Sequence, residues 1–230
     1  MIDPVRPSDG LAVLHLFGRL CGPGRASVDR GALADAVGKL TASEGQVIAV
    51  AVLGHKADLC LMAVHDDWAE LRRFQTAVAN AGVEIVGSYV SVTELSEYAV
   101  DVPENQRRLR LFPKLPPKNK PAWCFYPMSK RRNVGANWYL LNHEERRDLM
   151  REHGMSGSKF AGRIAQLVTG STGLDDFEWG VTLWGEHPDD LKAVVYTLRY
   201  DTGSALYGEF GTFYVGVTDE LDVVLDQLGA

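Results

Sequence analysis

The sequence predicts an α+β fold: two ferredoxin-like halves that together make a dimeric α+β barrel type subunit. Three observations predict it. The first hundred residues order as strand, helix, strand, strand, helix, strand, which is the succession of a ferredoxin-like unit. The same succession recurs after a proline-rich stretch. In addition, Asp66 to Val78 corresponds to Glu186 to Leu198 at an offset of 120, each segment following a strand and opening with acids at the positive end of a helix. The expected organisation is an N-terminal half over 1–102, a basic, proline-rich linker over 103–121, and a C-terminal half over 122–230.

Each element has a local reason. Leu11 to Leu20 reads as a strand closed by Cys21-Gly22-Pro23-Gly24. Ser27 is placed to cap a helix through Thr41, with Leu33, Val37 and Leu40 on one face. Gln46 to Leu53 and Ala57 to His65 make a hairpin around Gly54. A second helix runs from Asp67 to Asn80, burying Leu71, Phe74, Val78 and Ala81. Gly82 ends it, and Val83 to Val92 is a strand. Pro103 and the run Pro113 to Pro121 mark the linker, because proline interrupts both element types. Beyond it, strands are expected over Ala122 to Lys130, Ile164 to Thr169, Phe177 to Trp184 and Phe210 to Val217. Helices are expected over Asn142 to His153 and Pro188 to Tyr200.

Composition narrows the functional classes. The chain has 230 residues, 46% of them hydrophobic and 23% charged, as in an ordinary folded domain. No apolar run approaches the ~20 residues of a membrane span. The longest, Val47 to Leu53, suits a buried strand. Asp3 and Pro4 stand where a signal peptide would need a basic end, so a cytoplasmic location is expected. Cys21, Cys60 and Cys124 form no C-x-x-C pair and read as small core hydrophobes in a reducing compartment. A net charge of −6 argues against nucleic acid. Yet between Arg107 and Arg132 there are nine Lys or Arg and no acid. Such a segment is either a solvated linker or a local site for an anion.

Two stretches could carry chemistry. Asn142 and Glu145 begin a helix with a capping box, and Gly154 is positioned to stop it at a left-handed C′ residue. His153 would then lie in the last turn with Leu149 and Met150. Its imidazole either interacts with the negative helix end or ligates a metal. No second ligand lies at ligand spacing. One protein ligand is too few for a bare catalytic metal but suffices for haem, whose ring supplies four donors. The other stretch is Cys124 to Arg132, where strand alternation puts Tyr126, Met128 and Lys130 on one face. Pro127 suggests an edge strand.

Taken together, Phe125-Tyr126-Pro127-Met128-Ser129-Lys130-Arg131, Asn137-Trp138-Tyr139, Glu144-Glu145-Arg146-Arg147, His153-Gly154, Gly208-Glu209-Phe210-Gly211 and Phe213-Tyr214-Val215-Gly216 resemble the haem-binding core of the chlorite-dismutase-like family. Within it the sequence is similar to the coproheme decarboxylases, the hydrogen-peroxide-dependent haem synthases. In the N-terminal half, Ser88 to Ser96 is the best local match. The resemblance implies His153 as the iron ligand, Tyr126 as a tyrosine that becomes a radical, and Lys130 as an aid to proton transfer. It further implies that Met128 and Gln166 lie on the distal side, that Ser204 and Arg110 bind propionates, and that Pro127 and Ser129 belong to the cofactor-binding strand. Chlorite dismutases carry an arginine at the position of Gln166, and an uncharged Gln cannot hold hypochlorite as they do. Ser158 and Leu206 replace residues that are commonly basic in the decarboxylases.

The implied substrate and redox centre is Fe-coproporphyrin III (coproheme), whose propionates the basic segment would attract. The implied product is haem b, the oxidant hydrogen peroxide, and the assembly a homopentamer. Three alternatives stand beside this: a haem carrier or sensor without turnover, a chlorite dismutase, and a small-molecule monooxygenase or structural barrel.

Overall fold

The protein is described from a computed structural model that covers residues 3–20, 28–98 and 103–230. In the first unit, β1 (Ala12–Arg19), α1 (Arg30–Ala42), β2 (Gln46–Leu53), β3 (Leu59–His65), α2 (Trp68–Asn80) and β4 (Glu84–Thr93) follow the expected order. Asp29, not Ser27, caps α1 by accepting from the Ala32 amide; Ser27 and Cys21 lie outside the described residues. Asp67 caps α2 in the same way. Gly82, at φ +95°, turns the chain from α2 into β4 in the left-handed region glycine adopts at little cost.

The stretch read as a linker holds a helix, α3 (Glu104–Leu111). Pro103 sits at its N-cap, where no N–H is needed and its carbonyl accepts from the Gln106 and Arg107 amides, and 104–112 is free of proline. A second succession follows: β5 (Ala122–Lys130), the short hairpin β6 (Arg132–Asn133) and β7 (Ala136–Asn137) with a 3₁₀ turn over Trp138–Leu140, α4 (His143–Ser158), β8 (Ile164–Gly170), β9 (Trp179–Gly185), α5 (Pro188–Leu198), α6 (Thr202–Tyr207), β10 (Gly208–Phe210), β11 (Tyr214–Asp219) and α7 (Leu221–Leu228). The strand expected over Phe210 to Val217 is therefore two strands, β10 and β11.

In the first unit the strands lie in the order β4-β1-β3-β2, and in the second β11-β5-β9-β8, with β10 continuing the edge begun by β11. Antiparallel pairing of β11 with β2 and of β4 with β8 joins the units at both ends. The strands thus form a closed ring, which leaves no long unpaired edge. Alternation sends Phe17, Met62, Tyr89, Trp123, Phe125 and Trp184 into its interior. Outside, Leu33 and Leu40 of α1 with Leu71, Phe74 and Val78 of α2 cover the first unit. On the second, Leu191 and Val194 of α5 pack on Cys124, Tyr126, Val181 and Leu183. Cys60 and Cys124 are buried, as expected. Among the described residues no helix is long and apolar enough to cross a membrane.

Two expectations about the second unit are corrected. β5 is not an edge strand, since β9 lies on one side of it and β10 and β11 on the other. Pro127 is tolerated because its carbonyl, and hence its nitrogen, face the interruption between β10 and β11, where the carbonyl accepts from the Gly211 amide at 2.8 Å. Nor does Gly154 stop its helix. It lacks a positive φ, and α4 continues to Ser158, so His153 lies inside the helix, ahead of the last turn.

Closure of the ring depends on close approach at the β11–β2 seam. A Cβ on Gly216 would come within 2.3 Å of the Ala51 carbonyl oxygen, and backbone cannot yield as a side chain does. Gly216→Ala is expected to lower the unfolding free energy by about 1–3 kcal/mol, read as a reduced urea midpoint. An unchanged midpoint would mean that the seam is not tight.

Candidate active site

His153 is carried by α4, whose start is fixed by the capping box: Asn142 Oδ1 accepts from the Glu145 amide and Glu145 Oε2 from the Asn142 amide, both at 3.0 Å. Unlike α1, α2, α5 and α7, this helix has no fully buried side chain. What holds His153 is polar. Its Nδ1 lies 2.9 Å from Oδ2 of Asp201, whose side chain is fully buried. The other carboxylate oxygen accepts the Ser204 amide at 2.7 Å and so caps α6. One aspartate thereby fixes both the short helix and the imidazole. An acceptor at Nδ1 selects the tautomer protonated there and leaves the Nε2 lone pair free. Ser204 Oγ is 3.4 Å from Nδ1, which sets Ser204 beside His153.

The outer face of β5 supplies a second group. Tyr126 is 5% exposed, stacked on Phe213 at 4.4 Å between ring centroids and edge-on to Phe210 at 5.8 Å. Burial pushes its phenol well above the usual range, only partly opposed by the Arg199 guanidinium. Met128, next on this face, is half-buried. Lys130 is buried, with Nζ 4.3 Å from the centroid of the Trp138 ring. Burial draws its ammonium below the ordinary lysine value, while the carboxylates of Asp201 and Glu178 act in the other direction. Asp201 therefore acts on the groups of both sides, His153 by contact and Lys130 through its charge.

The remaining expected residues divide. The register Gln166↔Leu183↔Cys124 places the exposed Gln166 on the same outer face as Tyr126, two strands across. Pro127 and Ser129 alternate to the opposite face, where Ser129 Oγ accepts from the Glu178 amide at 3.2 Å. Arg110 stands exposed on α3, outside this network of contacts. The sequence reading missed Asp201. An Asp three residues before Ser204 is a readable capping signal, but its pairing with a histidine 48 residues upstream is set only by the fold.

Among the described residues, no three His, Cys, Asp or Glu side chains gather to hold a metal ion. A lone, oriented imidazole fits a metal that brings its other donors with it, as an iron porphyrin does. The orientation can be tested in ligand-free protein. Asp201→Asn keeps a capping oxygen but can turn an amide N–H toward Nδ1. Nitrogen NMR is expected to show His153 moving from the Nδ1-protonated to the Nε2-protonated tautomer; no change would detach Asp201 from the imidazole.

Comparison with known proteins gives the family from sequence and a matching fold from structure. The family described as Chlorite dismutase matches residues 29–219. The chain is 44% identical over 175 residues to the coproheme decarboxylase of Staphylococcus carnosus (strain TM300), covering 72% of this chain and 70% of that one. A solved haem-binding protein from Thermus thermophilus superposes with a TM-score of 0.85 over 100% of both chains, at 32% identity. Chlorite dismutase from Candidatus Nitrospira defluvii, solved with imidazole, shares the fold at a TM-score of 0.72 and 19% identity, over 97% of each chain. The Thermus and Nitrospira structures establish the α+β architecture, and with the family match and the Staphylococcus relative they lead to one assignment: this chain belongs to the chlorite dismutase family.

Proposed function

We propose that the protein is a coproheme decarboxylase, converting two propionates of Fe-coproporphyrin III to vinyl groups with hydrogen peroxide and yielding haem b. The observation that carries this reading is the His153–Asp201 pair: a single, partly exposed imidazole, its Nδ1 tied to a fully buried carboxylate, on a helix with no fully buried side chain. The decarboxylase name of the Staphylococcus relative supports the same substrate. For each propionate, one peroxide is reduced to two waters while the side chain loses CO2 and two hydrogens.

The iron porphyrin, as substrate, supplies the redox centre through which peroxide oxidises the site. His153 offers Nε2 to the iron. Tyr126 gives up an electron and then takes a hydrogen atom from the propionate β-carbon. Because burial keeps its phenol protonated, Tyr126 must lose a proton with that electron. Lys130, the second residue along the same face, is the group suited to receive it. Desolvation brings its neutral amine within easier reach, and its protonated form attracts a carboxylate. Ser204 and Arg110 are assigned to propionates, and Met128 and Gln166 to the distal side. Pro127 and Ser129 contribute to the site as backbone of β5. A cytoplasmic homopentamer completes the proposal; the buried free thiols of Cys60 and Cys124 accord with a reducing compartment.

The test is to incubate purified protein with Fe-coproporphyrin III and peroxide and weigh the porphyrin. Wild type is expected to remove two CO2 and four hydrogens. Tyr126→Phe should bind the porphyrin with similar affinity and leave its mass unaltered. An unaltered mass with wild-type protein, together with tight binding, would overturn the enzyme reading in favour of a carrier.

A further inference from the structure

Glu178 lies just before β9, and its side chain is 5% exposed. Its main chain is already committed: the amide donates to the Met128 carbonyl at 3.1 Å and the carbonyl accepts from Ser171 at 2.8 Å. The carboxylate meets two donors: Oε2 accepts the Lys130 amide at 2.8 Å and Oε1 accepts Nη2 of Arg132 at 2.5 Å. Arg132 in turn stacks over the Tyr139 ring at 5.3 Å, and the carboxylate helps to hold the Tyr139 phenol protonated. A buried carboxylate is acceptor-only and can satisfy both donors, whereas an amide would present one of them with an N–H.

Lys130, Arg132 and Tyr139 belong to segments that surround one ammonium. Lys130 ends β5, Arg132 begins β6, and Tyr139 belongs to the turn that carries Trp138, the ring over Lys130 Nζ. Trp138 is 3% exposed and meets Tyr207 edge-on at 5.4 Å, so it has a back wall as well. We propose that Glu178 is a positioning residue for the decarboxylation: its buried carboxylate fixes the Lys130 main chain and, through Arg132 and Tyr139, sets Trp138 over the Lys130 ammonium. The proposal rests on the decarboxylase reading for the purpose of that positioning, but the geometry stands without it.

The groups facing Lys130 are the Trp138 ring, the Asp201 carboxylate from the start of α6, and Glu178, which Arg132 partly neutralises. Removing the charge of Glu178 leaves Asp201 as the remaining carboxylate support and favours the neutral amine. Removing Arg132 unmasks Glu178 and favours the ammonium. The two changes must therefore move the titration of Lys130 in opposite directions.

Carbon NMR of lysine-labelled, ligand-free protein reads this directly. The midpoint of Lys130 is expected to fall below that of the wild type in Glu178→Gln and to rise above it in Arg132→Ala, which removes the guanidinium that partly neutralises Glu178. With coproheme and peroxide, Glu178→Gln should lower kcat on the order of a hundredfold with KM little changed, since a displaced proton-transfer group affects the reaction more than binding. Glu178→Asp should restore part of the loss. Midpoints that do not move, or that move in the same direction in both variants, would overturn the proposal. Failure of the decarboxylase reading is distinguishable, because it appears as an unaltered porphyrin mass with the wild type and leaves the ligand-free titration unaffected.

Discussion

A carboxylate withdrawn completely from water is costly unless every lone pair it uses finds a donor. Asp201 meets that condition with two partners on opposite sides, the Ser204 amide at the start of α6 and the Nδ1 proton of His153. The arrangement gives α4 an orientation that hydrophobic packing alone does not, since none of its side chains is fully buried. Polar contacts of the same kind join Arg146 to Tyr98 and Glu152 to Thr202, so α4 is tied down along its length and the imidazole is held in one direction. The rest of the site follows from that geometry.

The closed ring of strands supplies the opposing surface. Packing bulky aromatic residues inside the ring commits alternate positions of β5 to the exterior, and this is what delivers Tyr126, Met128 and Lys130 to one face. The same alternation commits Pro127 and Ser129 to the other. Burial then gives the outward groups their chemical character: a phenol that holds its proton and a lysine that holds its own less firmly than usual. On an exposed strand neither group would have that character.

Much of this was legible in the sequence because it depends on local periodicity. The strand face of Tyr126 and Lys130, the Asn142–Glu145 start of α4 and the paired helices α2 and α5 all rest on spacing within a few residues. The errors share a different cause. Whether Pro127 demands an edge depends on an interruption around Gly211 that only the pairing reveals. Whether Gly154 ends a helix depends on the residues after it continuing as helix, and glycine permits both outcomes. Nothing local singles out Glu178 or marks the imidazole partner of Asp201, because Lys130, Arg132 and His153 reach them from distant strands and helices. α7 is a different case: Leu221, Val224, Leu225 and Leu228 are spaced for a buried stripe and Gly229 closes it in the left-handed region, so the signal was present and went unread.

The most direct measurement of the central claim is a crystal structure of the protein bound to Fe-coproporphyrin III. Iron is expected to bond to Nε2 of His153 with Nδ1 still paired to Asp201, and a propionate to lie within hydrogen-bonding reach of Tyr126 or Lys130. Iron ligated by any other side chain, or a porphyrin whose propionates face away from β5, would contradict it.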